Sequence, residues 1–201
     1  RYPLVHEKAQ RTKIGDSGVL YHLAGKKADA PVVLMAHYDV VPVTDNWAHP
    51  PFCGELIDGE LWGRGTLDTK GTLCSILEAT EHLLQNGFQP KNDLYLAFSG
   101  DEEVMGDSAP AIVSYLTEHG IAPAMVVDEG GAIVSGIFPG VKSPCAVIGI
   151  SEKGKLDIEL EAKSEGGHSS APPRHTPVGV IARAVCRIED HPFPMSFSPA
   201  A

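Results

Sequence analysis

The chain has 201 residues, of which 43% are hydrophobic and 21% are charged, a composition typical of soluble globular domains. Its formal net charge of -10 argues against a nucleic-acid partner or an anionic-membrane partner, because both require a basic surface, and no apolar stretch is long enough to span a bilayer. The four cysteines form no C-x-x-C pair, which argues against a thiolate zinc site or a disulfide framework and predicts a reducing, cytoplasmic compartment.

The first part of the chain alternates between predicted strands and predicted helices. Nearly continuous apolar segments, typical of parallel strands covered on both faces, predict buried strands at 31–36, 93–99 and 124–128. Apolar residues at helical spacing, followed by stop signals, predict helices over 71–87 and 107–120, the second with Ser108 as its N-cap. This order predicts an α/β fold, a mostly parallel sheet with helices on both faces.

The pattern changes near residue 150. Residues 155–164 alternate strictly between apolar and charged side chains, which predicts a strand of an antiparallel sheet with one face in water. A helix is predicted over 176–190, with Thr176 as N-cap and Pro177 in its first turn. We therefore expect one domain over residues 1–150 and a second, α+β domain over residues 151–201. Because one strand and one helix cannot close a core, we expect this second domain to be partial.

Acids and one histidine stand where the predicted strands end and where the first helix begins. They are His37 and Asp39, Asp68 in G-R-G-T-L-D, Glu102 and Glu103, and Asp128. In open α/β sheets, ligands bind in the crevice beyond the carboxyl ends of the strands, so these side chains are expected at one edge. Each of them alone has an ordinary structural interpretation, as a loop histidine, a helix cap, a turn residue or a solvated acid.

A metal site is the hypothesis that explains the whole set. One imidazole with several carboxylates and no sulfur suits zinc, with manganese or cobalt as alternatives. Converging carboxylates without a cation would repel one another and raise their pKa values, so a divalent metal is the expected occupant. The spacing leaves open whether Glu102 or Glu103 is the ligand.

Four ordered motifs resemble the co-catalytic zinc aminoacylase/carboxypeptidase family, peptidase family M20: "LMAHYDVVPV", "GELWGRGTLDTKG", "FSGDEEVMG" and "VVDEGG". The later "SEKG" (151–154) and "GGHSSAPP" (166–173) are similar to the start of its lid domain. Within the family, "HYDVVPV", "WGRGTLDTKG" and "ISEKG" are nearest the carboxypeptidase S-like, Gly-Xaa carboxypeptidase branch, which includes N-acyl amino acid hydrolases. The resemblance implies a zinc-peptidase catalytic domain over 1–150 and part of a ferredoxin-like lid and dimerisation domain over 151–201.

The resemblance also implies a ligand set for two zinc ions. His37 and Asp128 would bind one ion, Glu103 would bind the other, and Asp68 would bridge both. Asp39 would hold the imidazole of His37 through its other nitrogen. The i, i+2 spacing is compatible with this, because both side chains leave an extended strand on the same side.

The implied reaction is hydrolysis of an amide bond by a water that two metal ions activate. Glu102 would be the general base, and His168 in "GGHSS" would donate to the oxyanion, often from the other subunit of a homodimer formed through the lid. The family also tends to hold a cis peptide after its bridging aspartate, here Asp68-Thr69. The expected substrates are peptides with a free C-terminus or N-acyl amino acids.

Two alternatives remain open. One is an N-acyl deacylase of a biosynthetic intermediate, of the acetylornithine or succinyl-diaminopimelate type. The other is a non-catalytic metal-binding or dimerising module, against which Glu102 argues because such a module needs no base. The family's second zinc also requires a final histidine beyond the lid, and no remaining histidine stands in a matching motif. We therefore expect a fragment of a longer enzyme that is inactive on its own.

Overall fold

A computed structural model describes residues 1–151 and 154–196, and the chain divides after Gly130 into two compact units. The first unit contains α1 (Pro3–Lys8), β1 (Gln10–Ile14), β2 (Gly18–Leu23), β3 (Lys27–His37), β4 (Glu55–Ile57), β5 (Glu60–Trp62), α2 (Lys70–Gln85), β6 (Asn92–Ser99), a 3-10 helix (Glu102–Val104), α3 (Ser108–Glu118) and β7 (Met125–Val127). The second unit contains β8 (Ala132–Val134), β9 (Cys145–Val147) and α4 (Pro177–Asp190).

The central sheet of the first unit has the strand order β1-β2-β6-β3-β7. The three predicted strands are confirmed, and they form its parallel part, with β3 between β6 and β7. Two strands that were not predicted, β1 and β2, extend it on the other side of β6 as an antiparallel edge. His37 pairs with Ser99 in register, so β3 and β6 end at the same edge of the sheet.

Both faces of the sheet are covered by helices, as predicted. On one face, Leu96 and Phe98 of β6 pack in a buried cluster with residues of α1 and α2, including Val5 and Leu84. On the other face, alternate residues of β6 pack in a second cluster with Ile112 and Leu116 of α3. Successive side chains of a strand point to opposite faces, which explains why the nearly all-apolar β6 serves both clusters.

The N-terminus of α3 differs from the prediction. Asp107 is the N-cap residue and Ser108 is the first helical residue, so the prediction of Ser108 as N-cap is wrong. The reason is the carboxylate of Asp101, which accepts hydrogen bonds from the backbone N–H of Ser108 at 3.2 Å and from its hydroxyl. A side chain seven residues earlier thus satisfies a backbone donor that the helix leaves free.

In the second unit, β8 and β9 form an antiparallel pair and α4 begins as predicted. Thr176 is its N-cap, and its hydroxyl oxygen accepts from the backbone N–H of Gly179 at 3.2 Å. The prediction of a strand over 155–164 is wrong. These residues form no strand, and Leu156 and Ile158 are 67% and 54% exposed. Alternation produces a strand only where a neighbouring strand supplies hydrogen bonds, and no described segment pairs with this one.

Some predictions on the second part of the chain are not tested. Glu152 and Lys153 of the "SEKG" motif lie outside the described residues, as do residues 197–201. A domain boundary at residue 150 stays a prediction. In the part of the chain that the structure describes, no helix is both long enough and apolar enough to cross a membrane.

Candidate metal centre

The centre of the candidate site is the imidazole of His37, which is 2% exposed. Its Nε2 lies 2.9 Å from Asp68 Oδ1, 3.3 Å from Glu129 Oε1 and 3.9 Å from Glu102 Oε2. The potential ligand atoms of His37, Asp68 and Glu129 all lie within 4.8 Å of one another. One ring nitrogen therefore faces several carboxylate oxygens at the spacing that a single cation could bridge.

The fold brings these residues together from four separate segments. His37 is the last residue of β3, Glu102 lies in the 3-10 helix after β6, and Glu129 follows β7. Asp68 stands two residues before α2. All of them lie at the carboxyl edge of the three parallel strands, which is where open α/β sheets bind ligands.

The backbone around Asp68 is tightly constrained. The peptide bond between Asp68 and Thr69 is cis, as the resemblance implies. Gly65 has a φ of +94°, and a Cβ there would lie 2.7 Å from Cγ1 of Val40. Its carbonyl accepts the N–H of Lys70 at 2.9 Å. Only glycine fits this close approach, so the second glycine of G-R-G lets the loop fold against Val40 just before Asp68.

Asp39 lies on the other side of the imidazole. Its Oδ1 is 3.3 Å from Nδ1 of His37, and its backbone carbonyl is 3.2 Å from the same nitrogen. Its Oδ2 accepts the backbone N–H of Glu103 at 3.0 Å. One carboxylate therefore contacts both the imidazole and the 3-10 helix that carries Glu102 and Glu103, which fits the predicted task of orienting His37.

At the end of β7, the structure brings Glu129 rather than Asp128 to the imidazole. The carboxylate of Asp128 is exposed and accepts the backbone N–H of Glu129 at 2.9 Å. Sequence reasoning missed Glu129, although the two adjacent acids of "VVDEGG" were a signal that either could be the ligand. Neighbouring side chains of an extended segment point to opposite sides, and the sequence does not show which one faces the site.

The pKa values of three side chains in the cluster, His37, Glu102 and Glu129, are all raised. Burial opposes protonation of His37, but the hydrogen bond with Asp68 and the charges of Glu129 and Glu102 outweigh it and raise the pKa of the imidazole. Burial also raises the pKa of Glu102, and its acidic neighbours raise it further. The pKa of Glu129 is raised as well, first by burial and then by Asp68 and Asp128.

This donor set fits a divalent cation. A cation would favour the charged form of these carboxylates and so oppose the effects of burial and of their acidic neighbours. One imidazole nitrogen with carboxylate oxygens is a combination that zinc accepts, and manganese and cobalt can bind the same donors. The residues that could hold such an ion are therefore His37, Asp68 and Glu129.

The predicted residues Glu103 and His168 also lie outside this three-residue group. Glu103 is half-buried and, together with Asp68, lines a cavity beside the centre. His168 is exposed in the second unit, where its carbonyl accepts the N–H of Ala171 at 3.0 Å in a turn. The roles assigned to both residues stay predictions.

Comparison with known proteins agrees with the motifs. The sequence model of peptidase family M20/M25/M40 matches residues 33–200. Probable carboxypeptidase S-like 2 of Dictyostelium discoideum is 41% identical over 197 residues, which is 95% of this chain and 38% of that protein. The N-fatty-acyl-amino acid synthase/hydrolase of Homo sapiens is 42% identical over 83% of this chain and 34% of its own length. Carboxypeptidase S of Saccharomyces cerevisiae is 36% identical over 98% of this chain and 35% of its own length.

A solved structure shows the same relationship. The M20 family metallo-carboxypeptidase Sso-CP2 of Sulfolobus solfataricus aligns with a TM-score of 0.51 and 27% identity, over 62% of this chain and 29% of that one. The chain thus spans between 34% and 38% of the length of the three curated relatives named above. Because the family model covers most of the sequence and its motifs surround the candidate metal centre, the chain belongs to peptidase family M20/M25/M40.

Proposed function

We propose that the protein hydrolyses amide bonds with the help of a bound metal, as a carboxypeptidase or an N-acyl amino acid hydrolase. The observation that carries this proposal is the buried His37, with acids on both sides of its ring. Nε2 faces Asp68 and Glu129, while Nδ1 faces Asp39. Relatives named as carboxypeptidases and as an N-fatty-acyl-amino acid hydrolase support the same reaction class.

Zinc is the proposed metal, with two ions in the active protein. His37 and Glu129 would hold one ion, Glu103 the other, and Asp68 would contact both. The geometry favours Glu129 for the place that the resemblance gives to Asp128, because Glu129 contacts the imidazole. When bound, the metal would lower the pKa of a water molecule and polarise the carbonyl of the scissile amide.

Glu102 is the proposed general base. Its side chain is 51% exposed, so water can reach it, and it lies 3.9 Å from the imidazole that marks the centre. Burial and its acidic neighbours raise the pKa of Glu102, which makes its carboxylate a stronger base than an ordinary glutamate. It would accept a proton from the attacking water and deliver it to the nitrogen of the leaving amine.

The remaining roles follow from the resemblance. Asp39 would keep the ring of His37 oriented by its contact with Nδ1. His168 would donate a hydrogen bond to the oxyanion that forms when water adds to the carbonyl. We propose that it does so within a homodimer formed through the second domain.

Replacing Glu102 with Gln tests the proposal. The amide accepts no proton, so kcat should fall by about 10²- to 10⁴-fold, the typical contribution of a general base. The assay measures the release of free amino acid from N-acyl amino acids and dipeptides by the full-length protein. Elemental analysis measures the zinc content of the same samples. Zinc content should stay unchanged, because Glu102 is not a proposed ligand.

The matched control is Glu118→Gln at the exposed end of α3, which should change neither quantity. Full activity of the Glu102 variant would exclude the mechanism. Zinc binding by the wild-type protein without hydrolysis of either substrate class would instead favour a metal-binding module.

A further inference from the structure

The loop of residues 100–107 (the acidic loop) connects β6 to α3 and carries two of the proposed active-site acids. Glu102 and Glu103 lie in its 3-10 helix, which has three residues. Such a short helix has few backbone hydrogen bonds of its own, so contacts with other segments determine how it is held. The direction of the Glu102 carboxylate therefore depends on what fixes the acidic loop.

The carboxylate of Asp101 ties the acidic loop to helix α3. It accepts hydrogen bonds from the backbone N–H of Ser108 at 3.2 Å and from the Ser108 hydroxyl. Ser108 is buried and begins α3, whose residues Ile112 and Leu116 pack in the second buried cluster. Because hydrogen bonds to an ionised acceptor are about twice as strong as neutral ones, Asp101 links the residue before Glu102 firmly to a helix that is fixed in the core.

The backbone of the acidic loop closes around the same side chain. The N–H of Gly106 donates to the carbonyl of Asp101 at 2.7 Å, and the N–H of Met105 donates to that of Glu102 at 2.8 Å. A Cβ on Gly106 would lie 2.3 Å from Cγ of Asp101, so the backbone of residue 106 packs directly against this side chain. The carboxylate of Asp101 is thus held between Gly106 and the start of α3.

A second carboxylate holds the acidic loop on the other side of Glu102. Asp39 accepts the backbone N–H of Glu103 at 3.0 Å. Glu102 therefore lies between two residues that carboxylate hydrogen bonds fix, Asp101 before it and Glu103 after it. Its own side chain is 51% exposed and lies 3.9 Å from Nε2 of His37. Since an exposed side chain has few neighbours to hold it, its direction is set mainly by the backbone on either side.

We infer that Asp101 is a positioning residue for Glu102, because it holds the acidic loop so that the carboxylate of Glu102 faces the attacking water. The inference rests on the proposed function, in which Glu102 is the general base. Asp101 acts through the backbone of its neighbour and takes no part in proton transfer itself. A displacement of about 1 Å at a reacting group can lower a rate about 10²-fold, so a change in this loop should affect the chemical step more than binding.

Steady-state kinetics of Asp101→Ala and Asp101→Asn in the full-length protein test the inference, with rates referred to the concentration of folded protein. Alanine removes both acceptor oxygens, so kcat should fall at least about tenfold, while KM and zinc content change less than about threefold. Asparagine keeps the shape of the side chain and one acceptor oxygen, so its kcat should lie between those of Asp101→Ala and the wild type. The matched control is Asp107→Ala in the same loop. Asp107 is exposed and its side chain makes no cap hydrogen bond to α3, so this variant should keep the wild-type kcat.

A double-mutant cycle separates positioning from a general loss of structure. If Asp101 acts through Glu102, Asp101→Ala should lower kcat less than about threefold when Glu102 is already replaced by Gln. A further fall of about tenfold in that background would mean that Asp101 acts by another route and would overturn the inference. A wild-type kcat in Asp101→Ala, or a loss of zinc as large as the loss of kcat, would overturn it as well.

Amide hydrogen exchange tests the hold on the acidic loop without any reaction. The N–H groups of Met105 and Gly106 should exchange at least about tenfold faster in Asp101→Ala, because a charged acceptor that fixes the loop is lost. The N–H groups of Leu96 and Phe98 in β6 serve as internal controls and should keep their rates. If the wild-type protein hydrolyses no amide but exchange accelerates, Asp101 holds the loop and the proposed reaction falls. If amides are hydrolysed and the two exchange rates do not change, the reaction stands and the positioning role is wrong.

Discussion

Pairs of adjacent acids follow two of the parallel strands, and the members of each pair have different surroundings. After β6, the carboxylate of Glu102 approaches the imidazole of His37. Glu103 is half-buried, and its backbone N–H donates to the carboxylate of Asp39. After β7, Glu129 reaches the same imidazole, whereas the exposed Asp128 accepts the backbone N–H of Glu129. A difference of one residue thus decides whether a carboxylate contacts the metal centre, because adjacent side chains leave the backbone in different directions.

Metal affinity distinguishes the two acids after β7. Glu129→Gln should weaken zinc binding at least tenfold, because it removes a charged oxygen donor next to His37, and loss of outer-sphere partners alone costs about 10- to 100-fold. Asp128→Asn should change the affinity less than about threefold, since its exposed carboxylate accepts the next backbone N–H rather than facing the imidazole in the described structure. Competition with a chromophoric chelator measures both constants. The reverse order of effects would make Asp128 the ligand, as the resemblance implies.

The candidate site could be predicted from the sequence only to the level of segments. His37 and Asp68 stand in motifs and at element ends, and the structure brings them within 2.9 Å of each other. Which acid of an adjacent pair faces inward depends on the local twist of the backbone after the strand. That twist is set by packing against other segments, so the pattern of residue types alone could not identify Glu129.

At the scale of elements, helix α1 shows a dependence on distant residues that no local pattern reveals. It has six residues, one of them buried, and its N-cap residue makes no side-chain cap hydrogen bond. Instead, the carboxylate of Glu81 on α2 accepts the backbone N–H groups of Leu4 at 3.1 Å and Val5 at 2.9 Å. Glu81 is 5% exposed, so these are charge-assisted hydrogen bonds in a buried position.

Removing that carboxylate should detach α1 from α2. We expect Glu81→Ala to lower the free energy of unfolding by about 2 to 3 kcal/mol, because two buried backbone donors lose a charged acceptor. Glu78→Ala is the matched control on the same helix: its carboxylate is 50% exposed and pairs with Arg1, so its loss should cost less than about 1 kcal/mol. Urea denaturation followed by circular dichroism measures both. Equal effects of the two substitutions would contradict the anchoring role of Glu81.

The elements that could be predicted are those whose burial leaves a local signature. Strand β6 has buried residues on both faces, and its sequence is accordingly a nearly continuous apolar segment. Strand β1 has one buried residue, Ile14, because it forms the edge of the sheet, and it was missed. Residues 155–164 show the converse, since their alternation is compatible with a strand that the described structure does not contain. Periodicity records which side chains could be buried together, whereas a strand also requires a partner.

At the scale of the whole molecule, the candidate metal centre connects parts of the first unit that are far apart in sequence. His37 ends β3, Asp68 precedes α2 and Glu129 follows β7, so a cation held by them would link these three segments. Without a cation, burial raises the pKa values of Glu102 and Glu129, and their acidic neighbours raise them further. Metal binding and the stability of the first unit should therefore be coupled.

Zinc should stabilise the folded protein by mass action. At a free zinc concentration of about 100 times Kd, the free energy of unfolding should rise by about 2.7 kcal/mol, because the folded state brings the ligands together and the unfolded state does not. Unfolding curves in zinc and in EDTA measure the difference. In His37→Ala the two curves should coincide, since the imidazole that faces the carboxylates is lost. A zinc-dependent increase of the same size in that variant would locate the stabilising metal elsewhere and contradict a centre built on His37.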